Sequence, residues 1–237
     1  MKLAKTFAIL TITTLFTVSA FAQIEGNPEN WCRDGFFTRD TDDFKIGRIT
    51  GLTSERAYFY KDDRDDCPDG KDCRAKAYLV TGDEVIVGRS FGRKSCVWYT
   101  PVKGTPTAGW FDTHRLKLIE PDKDPNLSAW LGEWAYARNG INFTENKLAG
   151  YLNVTGNATW QGIGANVHVG EIDERVEPTG NLLKLGENEN GEYACKVKMH
   201  LIGKYLVVAD NLRCGGANVT FSGIYTKRRP ARTAAKN

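Results

Sequence analysis

Short runs in which apolar and polar residues alternate are the main pattern along this chain. One such run places Cys195, Val197, Met199 and Leu201 between Lys196, Lys198 and His200. A period of two puts one face of a strand in a core and the other in water. No stretch keeps the 3.6-residue apolar period of a helix for three turns. The pattern therefore predicts an all-β protein.

Six short strand-like segments precede residue 120, with turns such as Thr81-Gly82-Asp83 between them. They are residues 46–50, 56–60, 77–79, 84–88, 96–100 and 108–111. Five or six short strands within about 75 residues are typical of a small barrel. We therefore expect one small all-β domain in this half of the chain.

Residues 121–128 form a polar segment with two prolines and no apolar periodicity, which predicts a linker. Further strand-like segments follow at residues 132–137, 141–143, 148–155, 158–160, 167–172, 182–185, 195–201, 205–209 and 219–225. About eight strands joined by short turns predict an antiparallel up-and-down barrel of lipocalin-like size, or a sandwich, over residues 129–226. Closure of the barrel would remove exposed strand edges.

The two ends of the chain differ from its middle. The basic start Met1–Lys5, an apolar run over 7–18 and the exit Ala20-Phe21-Ala22 predict a signal peptide over 1–22, cleaved after Ala22. No segment approaches the ~20 apolar residues of a membrane-spanning helix, so we expect no membrane span. Residues 227–237 are basic and predict a flexible tail.

The charge balance argues against a nucleic-acid partner. The chain has 32 lysines and arginines against 29 acidic residues, and the predicted signal peptide accounts for two of the lysines. The remaining chain is close to neutral, whereas binding to nucleic acid needs a basic surface that displaces counterions. We therefore expect no nucleic-acid function.

An even number of cysteines in an exported chain predicts disulfides. The six are Cys32, Cys67, Cys73, Cys96, Cys195 and Cys214. The hairpin predicted over 195–209 brings Cys195 near Cys214. Cys67 can pair with Cys73, which leaves Cys32 for Cys96; alternatively Cys67 or Cys73 pairs with Cys96, and the sequence leaves this open. There is no C-x-x-C motif and the three histidines lie far apart in sequence, so we expect neither a zinc site nor a cofactor.

Residues 45–120 resemble a bacterial SH3-like domain. The matching features, in order, are Gly47, Ala57-Tyr58-Phe59-Tyr60, the stretch 77–85 with its Gly82-Asp83-Glu84-Val85 turn, the strand 96–99, and Gly109-Trp110-Phe111 followed by Leu116. The resemblance implies an SH3-like domain over 23–120 with an N-terminal extension, and it implies peptidoglycan as a ligand. The chain departs from the family in a long acidic insertion, residues 62–73, where such domains carry a mobile recognition loop.

A second, local resemblance lies near the carboxyl end. Residues 210–221 are similar to the end of uncharacterised bacterial periplasmic proteins, some of which sit beside, or are fused to, lysozyme-inhibitor-type modules. This resemblance implies a periplasmic location more directly than it implies an activity.

Aromatic residues and the acidic insertion are the candidate binding residues. The aromatic set is Tyr58, Tyr60, Trp98, Tyr99 and Trp110, and the acidic set is Asp62, Asp63, Asp65 and Asp66. Neighbours in a strand face opposite sides, so one of each adjacent pair is expected at the surface, where Tyr and Trp are frequent anchors of interfaces. The insertion lacks the D-x-D-x-D-G frame of a calcium loop, so we expect a contact surface and no metal.

No set of catalytic residues is evident. There is no G-x-S-x-G motif, His114 has no adjacent acidic partner, and Glu171, Asp173 and Glu174 are most simply the polar end of a strand and its turn. The leading hypothesis is a non-catalytic periplasmic protein that binds and inhibits a wall-acting enzyme or a toxin. The alternatives are a peptidoglycan-binding module and a carrier of a small apolar ligand inside the second barrel.

Overall fold

The computed structural model describes residues 26–187, 191 and 193–228. In these residues the chain forms fifteen strands in two antiparallel sheets and three short 3-10 helices, Pro28–Asn30, Thr113–Arg115 and Leu127–Ala129. The all-β prediction is confirmed. None of the described helices has the length and apolar character needed to cross a membrane. The predicted signal peptide and residues 229–237 of the predicted basic tail lie outside the described residues.

The first sheet contains seven strands in the order β3-β2-β6-β5-β4-β1-β7. They are β1 (Lys45–Ile49), β2 (Arg56–Tyr60), β3 (Arg74–Val80), β4 (Glu84–Phe91), β5 (Lys94–Tyr99), β6 (Thr107–Asp112) and β7 (Leu116–Ile119). One face of every strand contributes to a single buried cluster, which runs from Ile49 in β1 to Leu116 in β7. The sheet therefore curls around its own core. Strand β3 lies at one edge of the sheet.

The second sheet contains eight strands in the order β11-β10-β9-β8-β15-β14-β13-β12. They are β8 (Gly132–Tyr136), β9 (Asn139–Glu145), β10 (Leu152–Gln161), β11 (Val167–Val176), β12 (Leu182–Leu185), β13 (Val197–Ile202), β14 (Tyr205–Asp210) and β15 (Gly223–Lys227). Successive strands pair as an up-and-down meander. The first and last strands, β8 and β15, also pair, so the barrel is closed except between β11 and β12. The structure is a nearly closed barrel, not a sandwich.

Some predicted strand boundaries were wrong, for local reasons. Residues 152–155 and 158–160, predicted to lie in two strands, belong to the single strand β10, because Gly156 and Asn157 continue the ladder with β11. Residues 148–151, predicted as the start of the first of these strands, form the turn before β10. The predicted strand over 219–225 begins only at Gly223. The preceding residues form a loop held by the buried Asp210 carboxylate, which accepts hydrogen bonds from the Thr220 hydroxyl at 2.7 Å and the Phe221 amide at 2.8 Å.

The interior of the second barrel is filled by side chains. One continuous cluster includes Trp130, Trp134, Phe143, Phe221 and Tyr225, all almost fully buried. Packed side chains of this size fill a small barrel in the way that they fill an ordinary core. A small apolar ligand carried inside, one of the hypotheses drawn from the sequence, would have to displace them.

A third buried cluster joins the two sheets. It combines Cys32, Phe37 and Phe44 of the N-terminal extension with the outer faces of β4–β6 and with Ile202, Tyr205, Val207 and Ile224 of the second sheet. Phe37 lies 5.7 Å from Trp98 between ring centroids, and Phe44 lies 5.5 Å from His200. The Glu84 carboxylate adds an ion pair with Lys204 at 2.9 Å. The N-terminal extension, residues 26–44, therefore packs between the two sheets.

Three disulfides join the six cysteines: Cys32–Cys96, Cys67–Cys73 and Cys195–Cys214. The first bond fastens the extension to β5, the second closes the acidic loop, and the third holds the loop after β14 against the segment before β13. The structure therefore selects one of the pairings that the sequence left open. Disulfides of this kind are typical of proteins in oxidising compartments.

Candidate functional site

The acidic loop, residues 61–73, connects β2 to β3 and rests on the N-terminal extension. Asn30 donates a side-chain hydrogen bond to the Cys67 carbonyl at 3.1 Å. The Asp62 carboxylate accepts a hydrogen bond from the Cys32 amide at 2.8 Å and pairs with the Arg33 guanidinium at 2.9 Å. Together with the Cys67–Cys73 bond, these contacts fix the loop at its base. Asp62, predicted as a contact residue, is engaged inside the molecule.

The exposed part of the acidic loop keeps an excess of negative charge. Residues 62–73 contain six aspartates and two basic residues. Lys61 lies 3.7 Å from the Asp63 carboxylate, and Arg64 lies 3.2 Å from that of Asp66. Three further exposed aspartates enter no ion pair with the described residues, namely Asp65, Asp69 and Asp72. A partner would therefore meet three unpaired carboxylates on the loop, beside the positive charges of Arg56 and Arg74 on the adjoining strands.

Next to this loop, the outer face of β2 and β3 carries a ladder of tyrosines and arginines. The Tyr58 and Tyr78 rings face each other across the two strands with centroids 5.9 Å apart. The Arg74 guanidinium lies 4.7 Å from the Tyr58 ring, and that of Arg56 lies 4.5 Å from the Tyr78 ring. Cation–π contacts of this kind order long side chains before any partner arrives. The Tyr78 side chain remains 42% exposed.

Trp98 and Trp110 were predicted as contact residues, but both are buried. They are 2% and 0% exposed. The sequence argument placed one face of these strands in a core and the other in water, whereas the N-terminal extension and the second sheet cover the outer face. A side chain without accessible surface cannot anchor a partner, so both tryptophans belong to the interface between the sheets.

Tyr60 and Tyr99 are half-buried, and Tyr60 belongs to an internal cluster. Its hydroxyl donates to the Asp112 carboxylate at 2.9 Å, and the buried Lys94 ammonium lies 3.4 Å from its ring centroid and 2.6 Å from Asp112. Burial and the Asp112 carboxylate raise the pKa of Tyr60. Burial opposes ionisation of Asp112, but the hydrogen bonds from Lys94 and Tyr60 hold the pKa of this carboxyl below its usual value. These groups stabilise the fold.

The structure therefore brings together only part of the predicted set. Tyr58, Asp63, Asp65 and Asp66 lie on or beside the β2–β3 hairpin and have accessible surface. Sequence reasoning missed Arg56, Arg74 and Tyr78 of the ladder. Together with Tyr58, they lie at alternate positions on the two strands that flank the acidic loop. This period of two is the sequence signal that could have identified them as the outer face of one hairpin.

The other candidate chemistries have little geometric support. The described residues contain one group of metal-ligand types within reach of each other, Asp66 with Cys67 and Cys73, and its two sulfurs are joined as a disulfide. Glu171 and Asp173 lie within β11, not at its polar end as predicted, because that strand extends to Val176. They face outward, whereas the Glu174 carboxylate accepts a hydrogen bond from the Gly186 amide at 2.9 Å.

Comparisons with known proteins add no relative. No protein-family model, no curated protein and no solved structure matches the chain. The resemblance of residues 45–120 to SH3-like domains and that of residues 210–221 to periplasmic proteins therefore stay predictions, and functional inference rests on the geometry.

Proposed function

We propose that this chain is a non-catalytic periplasmic binding protein that takes a basic protein partner on its β2–β3 hairpin. The contact surface consists of the acidic loop and the ladder of Arg56, Tyr58, Tyr78 and Arg74. One observation carries the proposal: a disulfide-closed loop with unpaired carboxylates adjoins the exposed Tyr78 and the half-buried Tyr58, and an arginine packs against each ring.

Each part of this surface has a separate role in the proposed contact. Clustered carboxylates attract a basic partner over several ångströms and raise the association rate. Tyrosine and arginine are enriched among the residues that contribute most to interface stability. Because the ladder is ordered in the free protein, less side-chain entropy is lost on binding.

The partner class that fits best is an enzyme or toxin that acts on the cell wall, which this protein would inhibit. Such enzymes bind an anionic polymer and are therefore often basic, which complements the acidic loop. The local resemblance of residues 210–221 to proteins found beside lysozyme-inhibitor-type modules supports the same class.

The test is capture of partners from a periplasmic extract under oxidising conditions, with the captured proteins identified and their affinities measured. We expect affinity for a basic partner to fall at least tenfold between 50 and 300 mM salt, because the charges at this surface are exposed. We expect Asp65→Asn/Asp69→Asn/Asp72→Asn to lower the association rate, and Tyr58→Ala or Tyr78→Ala to raise the dissociation rate.

A matched control removes the same charge elsewhere. The triple variant Glu145→Gln/Glu171→Gln/Asp173→Asn removes three exposed carboxylates from the second barrel. It should leave the affinity unchanged. An affinity that is independent of salt, or that falls equally in both triple variants, would remove the acidic loop from the contact.

Direct binding of peptidoglycan is the second candidate, favoured by one observation. A groove of about 430 Å³ lies beside β2 and β6 and is lined by Phe59, Tyr60, Asp63, Pro106 and Gly109 among others. Sedimentation of the protein with purified sacculi distinguishes the two functions. Protein in the pellet supports wall binding, whereas protein in the supernatant supports a protein partner.

A further inference from the structure

A second groove lies where the N-terminal extension crosses one end of the second barrel. It has a volume of about 650 Å³ and lies between residues 34–39 of the extension, the β8–β9 turn, the end of β10 and the loop before β15. This volume is within the range of small-molecule sites, and barrel mouths and junctions between sheets are common places for them. Its lining includes no residue of the β2–β3 hairpin.

Two arginines line this groove, and neither Arg39 nor Arg138 forms an ion pair with the described residues. The Arg39 guanidinium donates one hydrogen bond to the Gly35 carbonyl and lies 5.7 Å from the Phe36 ring. Its buried Nε has no hydrogen-bond partner among the described residues. The Arg138 guanidinium lies 3.4 Å from the Gln161 side-chain oxygen. Guanidinium groups bind carboxylates through two parallel hydrogen bonds. The lining holds these two arginines and one carboxylate, that of Asp34, so the net positive charge of the groove favours an anion.

The rest of the lining suits a ring that carries hydroxyl groups. Tyr136 and Trp160 supply apolar surface, and the Trp160 ring is held 5.2 Å from the His168 ring. Burial and the Asp34 carboxylate raise the pKa of Tyr136 to about 12. The Gln161 amide nitrogen donates to the Gly164 carbonyl at 3.0 Å, which holds the side-chain oxygen towards Arg138.

The backbone at the rim is held in an uncommon conformation. Ala137 has φ of 50° and Asn218 has φ of 66°, and both residues line the groove. Ala137 lies in the two-residue turn between the paired residues Tyr136 and Asn139, where hairpins commonly require a positive φ. This tight turn carries Arg138, which lines the groove.

We propose that this groove binds a carboxylate-bearing saccharide of one or two rings, with Arg39 and Arg138 on the carboxylate and Trp160 and Tyr136 along the ring. The site does not depend on the proposed protein contact, because it uses different residues.

The test is a titration of the full chain, followed by NMR, with glucuronate and with glucose, which differ in one carboxylate. We expect glucuronate to shift the Trp160 indole and the arginine Nε signals and to bind at least tenfold more tightly than glucose. Arg39→Gln and Arg138→Gln should each weaken glucuronate binding about tenfold. Arg93→Gln, which changes an exposed arginine outside the groove, should leave it unchanged.

Three outcomes would overturn the proposal: no shift with glucuronate up to 50 mM, equal affinity for the two sugars, or equal effects of all three arginine variants. Circular dichroism of each variant shows whether it is folded. Failure here leaves the proposed protein contact intact, since capture of a partner is measured separately and depends on the hairpin.

Discussion

Removal of the Cys32–Cys96 bond should cost more stability than removal of either other disulfide. The bond fastens the N-terminal extension to β5, and the extension fills the space between the two sheets through Phe37 and Phe44. In the double variant Cys32→Ala/Cys96→Ala the extension is held only by non-covalent contacts. Its detachment would expose the outer face of β4–β6, including Trp98.

The magnitude follows from the length of chain that each bond closes. The cysteines are separated by 64 residues in Cys32–Cys96, 19 in Cys195–Cys214 and 6 in Cys67–Cys73. Loop-closure entropy in the unfolded chain then corresponds to about 4, 3 and 2 kcal/mol respectively. For a protein of this size, loss of Cys32–Cys96 should lower Tm by roughly 8–16 °C and loss of Cys67–Cys73 by roughly 4–8 °C.

The assay is thermal unfolding of the three alanine double variants, followed by near-ultraviolet circular dichroism and tryptophan fluorescence. Limited proteolysis of the folded proteins supplies a second readout, since Cys32→Ala/Cys96→Ala alone should become sensitive to cleavage within residues 31–44. The reasoning is refuted if Cys67→Ala/Cys73→Ala lowers Tm as much as Cys32→Ala/Cys96→Ala does.

Three further predictions concern buried groups. Asp112→Ala should destabilise the fold by about 2 kcal/mol in urea unfolding, because it leaves the Lys94 ammonium unpaired, and adding Lys94→Met should recover part of this loss. Burial lowers the pKa of His200 below its ordinary value of 6.5, despite the nearby Asp42 carboxylate, so the unfolded chain binds a proton at a higher pH than the folded protein does. The free energy of unfolding should therefore fall as pH drops below 6.5, by at most about 1.4 kcal/mol per pH unit. His200→Gln should abolish this pH dependence. Trp98→Ala should cost about 3–5 kcal/mol by the same assay. An unchanged unfolding midpoint in the Asp112 or Trp98 variant, or an unchanged pH slope in the His200 variant, would contradict the corresponding argument.

Features that depend on neighbouring residues could be predicted from the sequence. The alternation over residues 197–201 identifies β13 because the period of two is a property of the extended backbone itself. The acidic loop follows from composition, whereas its Cys67–Cys73 bond was one of the pairings that the sequence left open. The all-β class rests on the same local signals, but the choice of a barrel over a sandwich came from the pairing of β8 with β15.

Features that depend on which surfaces meet were decided by tertiary structure. Val97 faces the core of the first sheet, while Trp98 faces the N-terminal extension and the second sheet. The sequence shows only that both residues are apolar. The residues that cover Trp98 come from positions such as Phe37 and Tyr136, which no local pattern connects to it. Burial is a sum over contacts distant in the chain, so the aromatic residues that keep accessible surface became identifiable only once the second sheet and the extension had covered the others.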